Sequence, residues 1–92
     1  MAFSIVKRVY KFDENFKQIS DEIEIIQSHD RYNLAVDHYK KVVNEIRDEM
    51  TKEKSIQSNE YRLGNDFVAQ LTGDYMSIDI LFTDDWNLIK YL

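Results

Sequence analysis

The strongest hydrophobic pattern in the chain lies between residues 30 and 54. Apolar side chains recur there at steps of three and four residues, while charged and amide side chains occupy the positions between them. In a helix this spacing gathers the apolar side chains on one stripe. The pattern therefore predicts one long amphipathic helix over residues 30–54. Its buried stripe would consist of Tyr32, Ala35, Val36, Tyr39, Val42, Val43, Ile46 and Met50.

A second pattern, with a period of two, covers residues 75–83 and is typical of a strand with one buried face. A run rich in aromatic and aliphatic side chains precedes it at residues 67–71, and Thr72-Gly73-Asp74 can form the turn between them. The two segments predict a β-hairpin. Its buried face would hold Met76, Ile78, Ile80 and Phe82, with Tyr75, Ser77, Asp79 and Leu81 mostly towards solvent.

Residues 1–28 fit two patterns. Phe16, Ile19, Ile23 and Ile26 have helical spacing, but residues 22–26 also alternate and are rich in isoleucine, and residues 3–12 are similarly strand-like. We favour two strands joined by a turn at residues 13–15, whose Asp and Asn side chains suit a turn. The segment 86–92 can form a last strand or a single helical turn, and its alternation favours the strand.

These elements follow one another as strand, strand, helix, and then two or three strands. A helix laid across an antiparallel sheet buries the apolar sides of both in two layers. The chain has 92 residues, no Pro and two Gly, so no flexible linker divides it. We therefore predict one α+β domain over residues 1–92, with a sheet of four to five antiparallel strands in β-β-α-β-β-β order and the helix on one face.

Composition excludes several kinds of site. The chain has no Cys, so disulfides, thiolate catalysis and Cys-ligated zinc are absent. No apolar run approaches the ~20 residues that span a bilayer. Lys7 and Arg8 interrupt the apolar N-terminus too early for a secretory signal. The sequence thus predicts a cytoplasmic protein with no cofactor and no membrane partner.

Candidate catalytic residues are sparse. The two histidines, His29 and His38, lie nine positions apart. On one helix that spacing would put their rings on opposite sides and about 13 Å apart along the axis. We therefore expect neither a metal site nor a general base from them. Neighbouring acidic residues on a strand point apart, and no nucleophile elbow or phosphate-binding glycine loop is present. The prediction is a protein without catalytic activity.

Charge is unevenly distributed along a chain whose net charge is −5. The first twenty residues are mildly basic, whereas residues 55–92 carry six acidic and two basic side chains. Same-face residues on a strand are ~6.6 Å apart, close to the spacing of successive phosphates, so such carboxylates can occupy a basic cleft. We therefore predict an acidic binding protein that docks on a basic partner. Its predicted contact residues are Asp66, Asp74, Asp79, Asp84, Asp85, Trp86 and Tyr91.

The amino-acid composition indicates one kind of partner, and two alternatives stand beside it. Many Asn, Lys, Ile and Tyr with no Cys or Pro are typical of small phage or plasmid proteins from AT-rich genomes. Such a protein would inhibit or redirect a basic host protein, for example a nucleic-acid-handling enzyme. One alternative is a nucleic-acid mimic that fills the DNA or RNA cleft of that enzyme. The other is a weak RNA- or DNA-binding module, which the acidic net charge disfavours. It would use Lys7, Arg8, Tyr10, Lys11, Phe12, Phe16 and Lys17.

Sheet edges offer a further mode of association. A small core gains stability from added burial, and an edge strand has backbone groups that a second strand can pair with. The candidate edges are residues 2–10 and residues 86–91. Lys7 and Arg8 discourage pairing along the first of these. We therefore predict that a homodimer, or a partner, docks along residues 86–91.

Overall fold

The computed structural model describes residues 2–51, 57–63 and 66–84. Within these residues, five strands and one helix follow one another in β-β-α-β-β-β order, which confirms the predicted fold class. The elements are β1 (Phe3–Phe12), β2 (Gln18–His29), α1 (Tyr32–Thr51), β3 (Gln57–Leu63), β4 (Asp66–Thr72) and β5 (Met76–Thr83).

The agreement between predicted and observed positions differs from one helix or strand to another. The first two strands and the β4–β5 hairpin lie where the sequence predicts them, and α1 begins two residues later than expected, at Tyr32. β3 was not predicted, because its polar sequence QSNEYRL has no apolar alternation. The strand predicted at residues 86–92 and the predicted end of the helix at residues 52–54 lie outside the described residues.

The strands form one antiparallel sheet in the order β2-β1-β5-β4-β3. β1 is therefore an interior strand, since β5 pairs with it on one side and β2 on the other. The prediction that residues 2–10 form a free sheet edge is wrong. Among the described strands, the two edges are β2 and β3, which precede and follow the helix in the chain.

The main core lies between α1 and one side of the sheet, which we call the helix face. Tyr39 and Val43 of the helix pack with Ile78, Ile80 and Phe82 of β5, as the two periodicities predict. Phe82, only 1% exposed, is central to this layer. Its ring centroid lies 5.4–6.0 Å from those of four other aromatic side chains. These are Phe3, Tyr32, Tyr39 and Phe67.

The opposite side of the sheet, which we call the far face, has a smaller buried cluster of Val6, Leu81 and Val68. They lie opposite one another on the three neighbouring strands β1, β5 and β4. Cross-strand neighbours of this kind shield one another. Leu81, expected among mostly solvent-facing positions, is therefore a core residue.

The turn between β1 and β2 contains a strained residue. The Asp13 carboxylate accepts hydrogen bonds from the backbone N–H groups of Asn15 and Lys17, at 2.9 and 3.0 Å. The chain then passes through Phe16 with a φ of 61°, a left-handed conformation that bulky side chains rarely adopt. The Asp13 cap holds this conformation, and Phe16 remains 73% exposed.

Candidate functional site

The outer strand β2 presents an unusual amount of apolar surface. Ile19, Ile23 and Ile25 are 63%, 47% and 43% exposed. The register of β2 on β1 places Ile23 and Ile25 on the far face, opposite Arg8 and Val6, whereas Ile19 lies at a register shift between Lys11 and Phe12 of β1. We call Ile23 and Ile25 the isoleucine row. They line an edge that no other described strand covers.

The other side of the same strand is acidic. Glu22 and Glu24 alternate with the isoleucine row, so their side chains leave β2 on the helix face. Glu24 lies 3.6 Å from the ammonium group of Lys7 on β1, and both carboxylates are exposed. β2 therefore presents apolar side chains on one face and negative charge on the other.

A β-bulge near the end of β2 sets the face of the residues that follow it. The pairing shifts between Ile5 and Val6 of β1, and one residue of β2, Ile26, is inserted there. A bulge reverses the side to which following residues point. Ile26 packs against the main core by ordinary alternation with Ile25. The bulge places His29, which follows, on the helix face, opposite Phe3.

An exposed aromatic pair lies at the start of β2. The rings of Phe16 and Tyr75 stack with their centroids 6.2 Å apart, and Tyr75 is 48% exposed. This pair joins the β1–β2 turn to the β4–β5 turn at one end of the sheet. Stacking on Tyr75 compensates in part for the strained backbone of Phe16.

An ion-pair network crosses the far face beside the isoleucine row. The Arg8 guanidinium donates two hydrogen bonds to the Asp21 carboxylate, Nε to Oδ1 at 2.8 Å and Nη2 to Oδ2 at 2.5 Å. These bonds lower the pKa of Asp21. Asp79 lies opposite Arg8 on β5, where burial raises its pKa despite the nearby positive charge. Arg8 also lies 4.7 Å from the centre of the Tyr10 ring.

The two carboxylates should affect stability in opposite directions. Asp21→Asn should destabilise the fold at pH 7, because it removes the ionic hydrogen bonds of Arg8. Asp79→Asn should leave stability unchanged or raise it slightly, because it removes a partly desolvated charge. As pH falls, the stability that Asp21 contributes is lost below the usual pKa range of aspartate, as the pH passes through the lowered pKa of Asp21. Protonation of Asp79 increases stability at a pH above that usual range, because the pKa of Asp79 is raised. Urea denaturation of both variants between pH 7 and pH 3 measures this. Equal losses at pH 7 would contradict it.

The predicted acidic contact residues are dispersed. Asp74, in the β4–β5 turn, and Asp84, after β5, are exposed but lie at opposite ends of an eight-residue strand, roughly 30 Å apart. Asp66 begins β4 at the Asp84 end and is half-buried, as is Asp79 in the middle of the far face. Asp85, Trp86 and Tyr91 lie outside the described residues. The described carboxylates therefore do not form one continuous row.

The basic and aromatic side chains of the first hairpin are divided between the two faces of the sheet. Lys7 and Lys11 point to the helix face, whereas Arg8 and Tyr10 point to the far face, as their pairing with β5 shows. Strand alternation places Phe12 on the far face as well. The charges of Lys7 and Arg8 are balanced by Glu24 and Asp21. This arrangement provides little positive potential for a nucleic-acid backbone.

The two histidines lie side by side, contrary to the expected separation. His29 Nε2 and His38 Nδ1 are 2.9 Å apart, and the rings are nearly perpendicular, with an interplanar angle of 87°. The expectation measured their separation along a helix, although His29 precedes the predicted helix. His29 instead ends β2, and the chain reverses at residues 30–31 so that α1 runs back past it. The tautomers of the two rings decide which imidazole donates this hydrogen bond.

The sequence contains only part of the signal for the isoleucine row. Alternation in residues 19–25 was visible, but an edge position follows only from the pairing of β1 with β5. Within the described part of the chain, no cluster of three or more His, Asp or Glu side chains could hold a metal ion. No helix there is long and apolar enough to cross a membrane. Comparison with protein-family models, with curated proteins and with solved structures found no match to this chain.

Proposed function

We propose that the chain is a non-enzymatic binding protein that docks on a basic surface of another protein. The observation that supports this is the outer strand β2, with its isoleucine row on one face and Glu22 and Glu24 on the other. Docking of this kind would let the protein act as an inhibitor or adaptor of its partner.

Backbone groups give the first part of the affinity. A strand at a sheet edge has N–H and C=O groups directed outwards, and an extended segment of a partner can pair with them. β2 has twelve residues, and among the described residues only β1 pairs with it. The strand is thus long enough to accept a partner strand along most of its length.

Side chains define the partner. A strand added beside β2 would place alternate side chains next to the isoleucine row and next to the two glutamates. The complementary sequence therefore alternates apolar residues with Lys or Arg. A second copy of β2 fits poorly, because antiparallel pairing about Ile23 would place Glu22 opposite Glu24 of the other chain, and like charges there are destabilising.

The two nucleic-acid interpretations receive less support. A mimic needs carboxylates in a continuous row, and Asp74 and Asp84 lie at opposite ends of β5. A nucleic-acid-binding hairpin needs free cations, and carboxylates balance Lys7 and Arg8. A protein partner with a basic, extended segment agrees better with these positions.

A fluorescently labelled peptide in which Lys alternates with Val tests the proposal by anisotropy titration. The expected result is saturable binding that weakens with added salt, because the attraction between exposed charges is screened. A peptide with Glu in place of Lys should not bind. Glu22→Lys and Ile23→Thr should each weaken binding roughly threefold to tenfold, as expected for a charge reversal and a lost apolar contact.

Matched variants on α1 provide the controls. Glu45→Lys makes the same charge reversal on an exposed helix position, and Leu34→Gln removes an apolar side chain that is 55% exposed. Leu34→Gln should leave the affinity unchanged. Glu45→Lys should change the affinity only as much as the altered net charge of the protein does. Equal effects of Glu22→Lys and Glu45→Lys, or equal binding of the Lys and Glu peptides, would contradict docking along β2.

A further inference from the structure

A cleft of about 640 Å³ lies at the opposite edge of the sheet, between α1 and the strands β3 and β4. Val43 of the helix and Phe67 of β4 give it apolar walls, and Tyr39 lies beside Phe67 with ring centroids 5.9 Å apart. Glu60 and Arg62 of β3 project to the helix face, since they pair with Ala69 and Phe67. The cleft is thus lined by aromatic surface and by charged groups.

One ion pair holds the two sides of the cleft together. The Nη2 group of Arg47 on α1 donates to Glu60 Oε1 at 2.5 Å and to Ser58 Oγ at 3.2 Å, and Nη1 donates to Asn44 Oδ1 at 3.2 Å. Its Nε–H is buried and has no acceptor among the described residues. A buried donor without an acceptor costs free energy unless a bound group supplies one.

Two further cations line the cleft, and neither has a carboxylate partner within the described part of the chain. Lys40 extends from α1, and the guanidinium of Arg62 lies 5.2 Å from the centre of the Phe67 ring. Among the lining residues that the structure describes, Glu60 is the single carboxylate, and Arg47 already neutralises it. The lining is therefore positively charged in a chain of net charge −5.

We propose that this cleft binds a small aromatic anion, a flat apolar body that carries a carboxylate, sulfonate or phosphate group. The flat body would lie between Val43 and Phe67, and the anionic group would face Lys40 and Arg62. Pairing of a charged group with two cations beside an apolar wall is the usual pattern of a small-molecule site. The site is separate from β2, so it adds a ligand to the proposed docking function.

The test uses the fluorescent probe 8-anilino-1-naphthalenesulfonate, with neutral N-phenyl-1-naphthylamine as its uncharged counterpart. We expect one saturable binding site for the sulfonate. Lys40→Gln and Arg62→Gln should each weaken its binding about threefold to tenfold and should leave the neutral probe unaffected, because only the charge interaction is lost.

Lys41→Gln is the matched control, since Lys41 is the next, exposed residue of α1 and does not line the cleft. It should leave the affinity for both probes unchanged. Two results would overturn the proposal: sulfonate fluorescence that does not saturate, or unaltered sulfonate affinity in a folded Lys40→Gln/Arg62→Gln double variant. Folding of each variant is checked by its unfolding transition in urea.

Discussion

Replacing Phe82 by alanine is expected to lower the free energy of unfolding by about 3–5 kcal/mol. The side chain is 1% exposed, and the rings of Phe3, Tyr32, Tyr39 and Phe67 surround it. Alanine would leave a cavity in the middle of that layer. Since a small domain is stable by only about 5–15 kcal/mol, the loss removes much of its stability. Urea denaturation followed by circular dichroism measures it.

Two companion variants make this result interpretable. Phe16→Ala removes an equally large but 73% exposed ring and should cost less than about 1 kcal/mol, chiefly the stack on Tyr75. Phe82→Leu keeps most of the buried volume and should remain folded with a loss of roughly 1–2 kcal/mol. A loss at Phe82→Ala no larger than that at Phe16→Ala would show that the aromatic layer is not the core.

Raising the pH from about 10 to about 12 is expected to destabilise the fold through Tyr39 by about 2–3 kcal/mol. Burial raises the pKa of Tyr39 to about 12, and the nearby Glu60 adds to the shift while Arg47 opposes it. In the unfolded chain the phenol ionises near its ordinary value of 10.0. The contribution of neutral Tyr39 is therefore complete below pH 10 and is lost as pH rises through the folded-state pKa.

The measurement is the free energy of unfolding as a function of pH, for the natural chain and for Tyr39→Phe. The variant retains the ring but cannot ionise, so its stability should fall less steeply above pH 10. Lysines titrate in the same range, and the difference between the two curves removes their contribution. Identical slopes would contradict a buried, neutral Tyr39.

The parts of the fold that the sequence predicts are those with a strong period. The apolar spacing of α1 and of the helix face of β5 identifies residues that meet in the core. β3 escaped prediction because it is polar and its strand conformation depends on pairing with β4, which is a tertiary interaction. Periodicity identifies an element only where one of its faces is buried.

The surfaces were harder to predict than the core. The isoleucine row is exposed because β1 pairs with β5, a contact between distant parts of the chain. The histidine pair depends on the reversal between β2 and α1, which brings His29 within 2.9 Å of His38. The strained Phe16 occupies a turn position that Gly or Asn usually fills, so its residue type gave no signal. Each of these features arises from three-dimensional arrangement and not from local pattern.

The pairing of β1 with β5 also governs the order in which the molecule can fold. Ser4 pairs with Thr83 and Val9 with Ile78, so the centre of the sheet joins the most distant described strands. The β1–β2 and β4–β5 hairpins can form from local contacts, but the sheet closes only when these two halves meet. Closing so large a loop is entropically costly, which slows folding. During synthesis on a ribosome, β1 is made before β5, so the edge of β1 that pairs with β5 stays unpaired until β5 is available. Aggregation competes with folding at that stage.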